Sequence, residues 1–191
     1  MNTLAHKGTQ TLCTERLTLR RYALCDAVSM YKNYATDERV TRFLSWEPYK
    51  RIEDVEAFLS SEMDEYQHQD KYHWAIELGG EVIGGISAVS IDESNHSCEI
   101  GYGIGYEFWN KGITSEALLA VMKFFFSEVG MHRIMAKHNI ENPASGKVMM
   151  KCGMTYEGRL RGHYLQPDGT CTDSAIYGIL KDEFVREMQH K

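Results

Sequence analysis

Proline is scarce, with three in 191 residues, and no proline-rich stretch, internal repeat or low-complexity tract marks a linker. The five cysteines, at 13, 25, 98, 152 and 171, include no C-x-x-C pair. An odd number without paired spacing argues against a disulfide framework and fits free thiols in a reducing cytoplasm. No apolar run is long: Ala117 to Phe126 is interrupted by Lys123 and is too short to cross a bilayer, so no membrane partner is expected. The first residues lack an apolar segment, which excludes a secretory signal from the expectation. Basic residues are in deficit, 21 against 27 acidic, and the net charge of −6 argues against a nucleic-acid partner. No spacing of His, Cys, Asp or Glu predicts a metal site; His132 and His138 share a predicted strand without an H-E-x-x-H partner. What is present is ordinary for a globular chain, 43% apolar and 25% charged, and the length suits one domain over 1–191 with its core over 14–180.

The most informative stretch is EIGYGIGYEFWNKGITSE, Glu99 to Glu116. Ile100, Tyr102 and Ile104 alternate with Glu99, Gly101 and Gly103, the period of a strand. From Ile113 onward Ala117, Leu118, Val121, Met122 and Phe125 recur at helical spacing. Between them, Trp109-Asn110-Lys111-Gly112 is a polar turn ending in glycine. A strand, a glycine turn and a helix start converge unpaired N–H groups on one point, a place suited to phosphate. The nucleotide P-loop does not fit, because lysine precedes the glycine and no hydroxyl residue follows it directly. The dinucleotide fingerprint fails too, since Tyr106 stands where its last glycine belongs.

In chain order, Cys13 to Arg21 reads as a first strand, and Asp26 as the cap of a helix holding Val28, Met30, Tyr31 and Tyr34. Asp54 to Gln69 reads as a second helix. Tyr72 to Leu78 and Val82 to Ile91 form a hairpin about Gly79-Gly80. The strand from Glu99 follows, then the long helix, stopped at Gly130. His132 to His138 is a strand, and Asn142-Pro143 opens a helix with asparagine as cap. Met154 to Arg161 and Ser174 to Leu180 are strands around a turn at Gln166-Pro167-Asp168-Gly169, and a short helix ends the chain. The order β-α-α-β-β-β-α-β-α-β-β belongs to the α/β (α+β) class, with about seven strands in a mixed, mostly antiparallel sheet flanked by helices.

Trp109 to Thr114 lies over the acyl-CoA pyrophosphate loop of the GNAT N-acetyltransferases, Q/R-x-x-G-x-G/A. Gly112 falls on its glycine, while Trp109 and Thr114 depart from the general consensus. Tryptophan at the first place resembles the RimJ/RimL-type branch, the ribosomal-protein N-terminal acetyltransferases. T-E-R-L-x-L-R at Thr14 to Arg20, N-x-x-S at Asn142 to Ser145, K-x-G at Lys151 to Gly153 and the run Tyr156 to Arg161 resemble the same branch. The resemblance spans Thr14 to Leu180 and implies the GNAT fold with acetyl-CoA as co-substrate.

It also implies a site. Tyr102, Gly103 and Ile104 take the place of the strand that grips pantetheine. Asn110, Lys111, Gly112, Ile113, Thr114 and Ser115 form the loop for the pyrophosphate, and Asn142 takes the place of an asparagine that bonds the cofactor amides. Asn142 and Ser145 also fit a purely local capping role. Transfer to an amine needs a proton acceptor and a donor near the departing sulfur. Glu99 takes the place of the base, with Gly101 and Gly103 leaving open space beside it; a solvent-facing glutamate or one paired with lysine or arginine fits equally. Ser145 takes the place of the donor, because Met149 stands where many relatives hold a tyrosine and cannot donate. Lys137 replaces another glutamate base, and His138 could relay protons but fits an ordinary strand histidine better. Trp46, Glu47 and Tyr49 are candidate acceptor contacts. The implied function is direct acetyl transfer to a primary amine, a protein N-terminus or a small molecule, in the cytoplasm. A homodimer stays open, and the alternative is a CoA-binding regulatory or interaction protein with a degenerate site.

Overall fold

The computed structural model describes residues 3–44, 46–165 and 169–189. Its organising unit is an eight-stranded sheet in the order β1-β2-β3-β4-β5-β6-β8-β7. The strands are β1 Leu12–Cys13, β2 Leu17–Arg20, β3 His73–Leu78, β4 Glu81–Asp92, β5 Ser97–Ile104, β6 Arg133–Asn139, β7 Thr155–Leu165 and β8 Cys171–Leu180. The helices are α1 Ala27–Met30, α2 Glu38–Thr41, α3 Ile52–Glu65, α4 Ile113–Phe124, α5 Pro143–Lys151 and α6 Lys181–Gln189.

The expected first strand is broken in two, so the sheet has eight strands where the sequence predicts seven. Thr14 causes the break. Its N–H donates to the Leu17 carbonyl at 3.0 Å and its Oγ1 accepts from the Leu17 N–H at 2.9 Å, turning the chain back on itself. Asp26 does not cap α1. Its buried carboxylate accepts from the Ala23 N–H and both terminal nitrogens of Arg20, each at 2.8 Å; Met30 of this helix is buried, and Val28 is 66% exposed. The hairpin of β3 and β4 matches its expectation, with Gly79 at φ 60° and Gly80 at φ 87°, the left-handed pair that a two-residue turn requires. The turn expected at Gln166-Pro167-Asp168-Gly169 lies outside the described residues, Gly169 excepted.

Alternation along the strands builds two cores. Leu19, Trp74, Ile76, Ile86 and Ile100 face α4 and α5 on one side of the sheet. Ala75 and Val82 face α1 and α3 on the other, beneath Tyr22, Val55 and Leu59. Tyr72, Trp74, Phe124 and Phe125 pack edge-to-face and stacked, with centroids 4.9–6.0 Å apart. Cys98 and Cys152 lie in the first core, and burial pushes the Cys98 thiol up to about 12. Cys13, Cys25 and Cys171 are exposed. A thiol-reactive chromogen is therefore expected to titrate those three rapidly in the native protein, and Cys98 and Cys152 only after unfolding. Rapid reaction of Cys98 in the folded chain would contradict this packing.

Among the described residues all strand pairs are antiparallel except β5 with β6. That parallel pair is short: Ser97, Cys98 and Glu99 match Arg133, Ile134 and Met135. Beyond it β5 runs on to Ile104 paired only with β4, and β6 to Asn139 paired only with β8. The two strands open a V whose apex is at Glu99 and Met135.

Candidate active site

A cleft of about 370 Å³ lies at this V, between β5, the start of α4, and α5. Its lining includes Tyr102, Gly103, Ile104, Asn110, Gly112, Ile113, Thr114, Ser115, Asn142 and Ser145, all singled out in the sequence. Lys111 and Glu99 are not among its lining residues.

The turn into α4 is held from both sides. Trp109 Nε1 donates to the Ile104 carbonyl at 2.8 Å, which folds the turn against the strand that precedes it. Gly112, at φ 75°, caps α4 without a side-chain bond, so the first N–H groups of the helix have no intrahelical partner. Arg16 reaches in from the β1–β2 turn: its Nη1 donates to the Lys111 carbonyl at 3.0 Å and its Nε to Glu116 at 2.7 Å. Glu116 also accepts from Thr14 Oγ1 at 2.5 Å and from the Arg16 N–H at 3.0 Å. Burial works against the Glu116 charge, but the Thr14 and Arg16 bonds win and hold its carboxyl below the usual range. This brace gives Thr14 and Arg16 a physical role that the sequence phrase alone does not reveal. The Lys111 side chain instead points its ammonium over the Phe108 ring, 5.8 Å from the centroid.

A cradle for an anion results. A Cβ placed on Gly112 would find only Lys151 Nζ, at 3.5 Å, and Arg16 Nη2, at 3.7 Å. Lys147 joins Lys151 in lining the cleft, one helical turn away. Sequence reading missed both, although their i, i+4 spacing beside the N-x-x-S segment was the available signal. Helix-start N–H groups, the α4 dipole and these ammonium groups favour a phosphate there.

On the other wall, Asn142 Oδ1 accepts from the Ser145 N–H at 3.4 Å, and Pro143 takes the first helical position, as the sequence predicts. The Ser145 hydroxyl donates to Tyr102 Oη at 3.0 Å, and the Tyr102 hydroxyl donates to the Ser145 carbonyl, also at 3.0 Å. Burial raises the Tyr102 hydroxyl well above its ordinary pKa. Met149 is buried in the core, with 1% of its surface exposed.

Glu99 sits at the apex, on the sheet face opposite Tyr102. Its Oε2 accepts from Lys137 Nζ at 3.1 Å, and the two side chains are 16% and 28% exposed. The open space expected beside it is filled. A Cβ on Gly101 would lie 2.7 Å from Val89 Cγ2, and one on Gly103 would lie 3.1 Å from Leu44 Cδ1. Val89 is there because β4 carries an extra residue between Ala88 and Ser90, a bulge no local pattern announces. Leu44, with Val40 and Phe43, brings an apolar wall from α2 and the turn after it to the cleft. Trp46 stacks on Tyr49 at 5.3 Å against the helical core, and neither they nor the exposed Glu47 line the cleft. His138 lies under α5, its Nδ1 bonded to the Asn139 carbonyl at 2.8 Å and its Nε2 against Gly146, away from the cleft lining. Among the described residues no group of three or more His, Cys, Asp or Glu could hold a metal ion, and no helix is long and apolar enough to cross a membrane.

Comparison with known proteins agrees with this geometry. The family described as "Acetyltransferase (GNAT) domain" matches residues 16–155. The chain is 34% identical over 170 residues to the Bacillus subtilis (strain 168) protein named "Uncharacterized N-acetyltransferase YoaA", covering 88% of this chain and 95% of that one. It is 27% identical over 178 residues to the [ribosomal protein uS5]-alanine N-acetyltransferase of Escherichia coli (strain K12), covering 88% and 89%. Among solved structures, the microcin C7 self-immunity acetyltransferase MccE, in complex with acetyl-CoA and AMP, superposes with a TM-score of 0.77 at 25% identity, over 87% of this chain and 93% of that one. The glycine turn, the parted strands and the matched family converge: this chain belongs to the GNAT N-acetyltransferases and is an enzyme of the kind that includes the RimJ/RimL-like ribosomal-protein acetyltransferases.

Proposed function

We propose that the protein transfers the acetyl group of acetyl-CoA to a primary amine by direct attack, both partners being bound at once. The observation that carries this reading is the parting of β5 from β6 beside a cleft that the glycine turn, Ser145, Lys147 and Lys151 line, with the Glu99 carboxylate at the apex of the V, outside that lining. The residues present fit the co-substrate. Gly112 leaves room for a pyrophosphate against bare N–H groups, and Arg16, Lys147 and Lys151 supply positive charge at its edge. When bound, acetyl-CoA supplies an activated thioester.

The chain's own residues do the rest. The backbone of Tyr102, Gly103 and Ile104, freed from pairing with β6, offers polar groups along the open side of β5. Ser145 presents a hydroxyl to the departing sulfur. The acceptor ammonium displaces the Lys137 ammonium from Glu99, the carboxylate takes its proton, and the neutral amine so formed attacks the thioester carbonyl. Much of the rate comes from holding amine and thioester together. The acceptor we assign first is a protein N-terminal amine, because the related enzyme named above acts on a ribosomal-protein alanine. A regulatory CoA-binding protein, the alternative reading, finds no support among the relatives.

Two measurements test this. Release of free CoA thiol, followed over a panel of N-terminal peptides and small amines, is expected to show turnover with peptides. Turnover only with small amines would replace the acceptor, and none with any amine would remove the enzymatic reading. Acetyl-CoA at one hundred times its Kd is expected to stabilise the fold by about 2.7 kcal/mol. For a chain of this size that raises Tm by roughly 5–11 °C; an unchanged Tm would contradict the cofactor assignment.

A further inference from the structure

We infer that the Tyr102 side chain is a positioning residue for acetyl transfer: it holds the Ser145 hydroxyl in place and switches its own hydrogen bond to support it. The inference rests on the proposed reading in which Ser145 faces the departing sulfur.

The geometry is specific. Tyr102 projects from β5 onto the α5 side, and its ring crosses to the first turn of that helix. Tyr102 Oη lies 3.0 Å from the Ser145 carbonyl and 3.0 Å from Ser145 Oγ. A carbonyl only accepts, so the Tyr102 proton is committed to it. The Tyr102 oxygen must then accept at Ser145, and the Ser145 proton points at Tyr102 rather than into the cleft. In this resting arrangement the serine is parked.

The reacting arrangement needs no heavy atom to move. As charge builds on the sulfur, the Ser145 O–H turns about its Cβ–Oγ bond and donates to it. The Tyr102 O–H then swings from the Ser145 carbonyl to Ser145 Oγ, an acceptor at the same distance. A donor that is itself receiving a hydrogen bond is strengthened. The Ser145 carbonyl is not orphaned by the exchange, because as a residue of α5 it retains its bond from the N–H four residues on. Burial keeps Tyr102 protonated throughout, so it serves as donor and never as phenolate.

The chemistry predicts coupling. Ser145→Ala is expected to lower the single-turnover rate of CoA thiol release by about tenfold or more. Tyr102→Phe keeps the ring and its packing and is expected to lower the same rate by roughly three- to tenfold. Because tyrosine acts only through serine, the double variant is expected to be no slower than Ser145→Ala alone. KM for acetyl-CoA and the Tm gained from it are expected to stay unchanged in Tyr102→Phe, which a packing role would not predict. Full rate in Tyr102→Phe, or losses that multiply in the double variant, would overturn the inference while leaving Ser145 in its role. A full rate in Ser145→Ala would instead remove the Ser145 assignment itself, and this inference with it. A Tyr102→Phe protein that loses Tm and cofactor affinity in step with rate marks a structural tyrosine and also overturns it.

Discussion

Gly112→Val is expected to remove nearly all of the thermal stabilisation that acetyl-CoA gives, while the protein stays folded without it. Gly112 stands at φ 75°, where an L-residue costs about 1–2 kcal/mol and a β-branched one more. Against a total stability of roughly 5–15 kcal/mol, that strain alone does not unfold the chain. The side chain would project toward Lys151 Nζ and Arg16 Nη2, the two cations nearest the glycine, and would fill the space a phosphate needs. The effect on binding therefore exceeds the effect on folding. Tm measured with and without saturating acetyl-CoA separates the two. A variant that keeps the full ligand-induced shift would move the pyrophosphate away from this turn.

The second large effect is expected from Glu99→Gln: turnover lower by about a hundredfold or more, with the acetyl-CoA shift in Tm intact. The amide preserves shape and removes the charge that draws off the proton. Because the substitution also breaks the ion pair with Lys137, a structural explanation must be separated from a chemical one. Magnitudes do this. A partly exposed pair contributes about 1 kcal/mol or less, whereas a hundredfold loss in rate is about 2.7 kcal/mol. Lys137→Met breaks the same pair and leaves Glu99 in place, so it is expected to retain most of the turnover. Full activity in Glu99→Gln would remove glutamate as the base, and equal losses in both variants would make the pair a support for the apex of the V.

The sequence by itself determined the pieces whose causes are local. Gly79-Gly80 dictates a tight hairpin, Asn142-Pro143 dictates a helix start, and the alternation from Glu99 to Ile104 followed by helical spacing from Ile113 dictates a strand, a turn and a helix. Those rules act over a few residues, and from them the sheet, the long helix and the glycine cradle were legible. Only the tertiary structure decided which groups meet. Arg16 finds Glu116 across 100 residues, Tyr102 finds Ser145 across 43, and Lys137 finds Glu99 across 38. The V opens because β5 and β6 each keep their outer partner after three shared rungs, and the bulge at Val89 fills what parity alone left empty. Periodicity fixes the face of a strand on which a side chain stands, but which distant side chain packs against it is set by sheet order and register. Those arise from burying both faces of the sheet at once, and no short stretch of sequence carries that information.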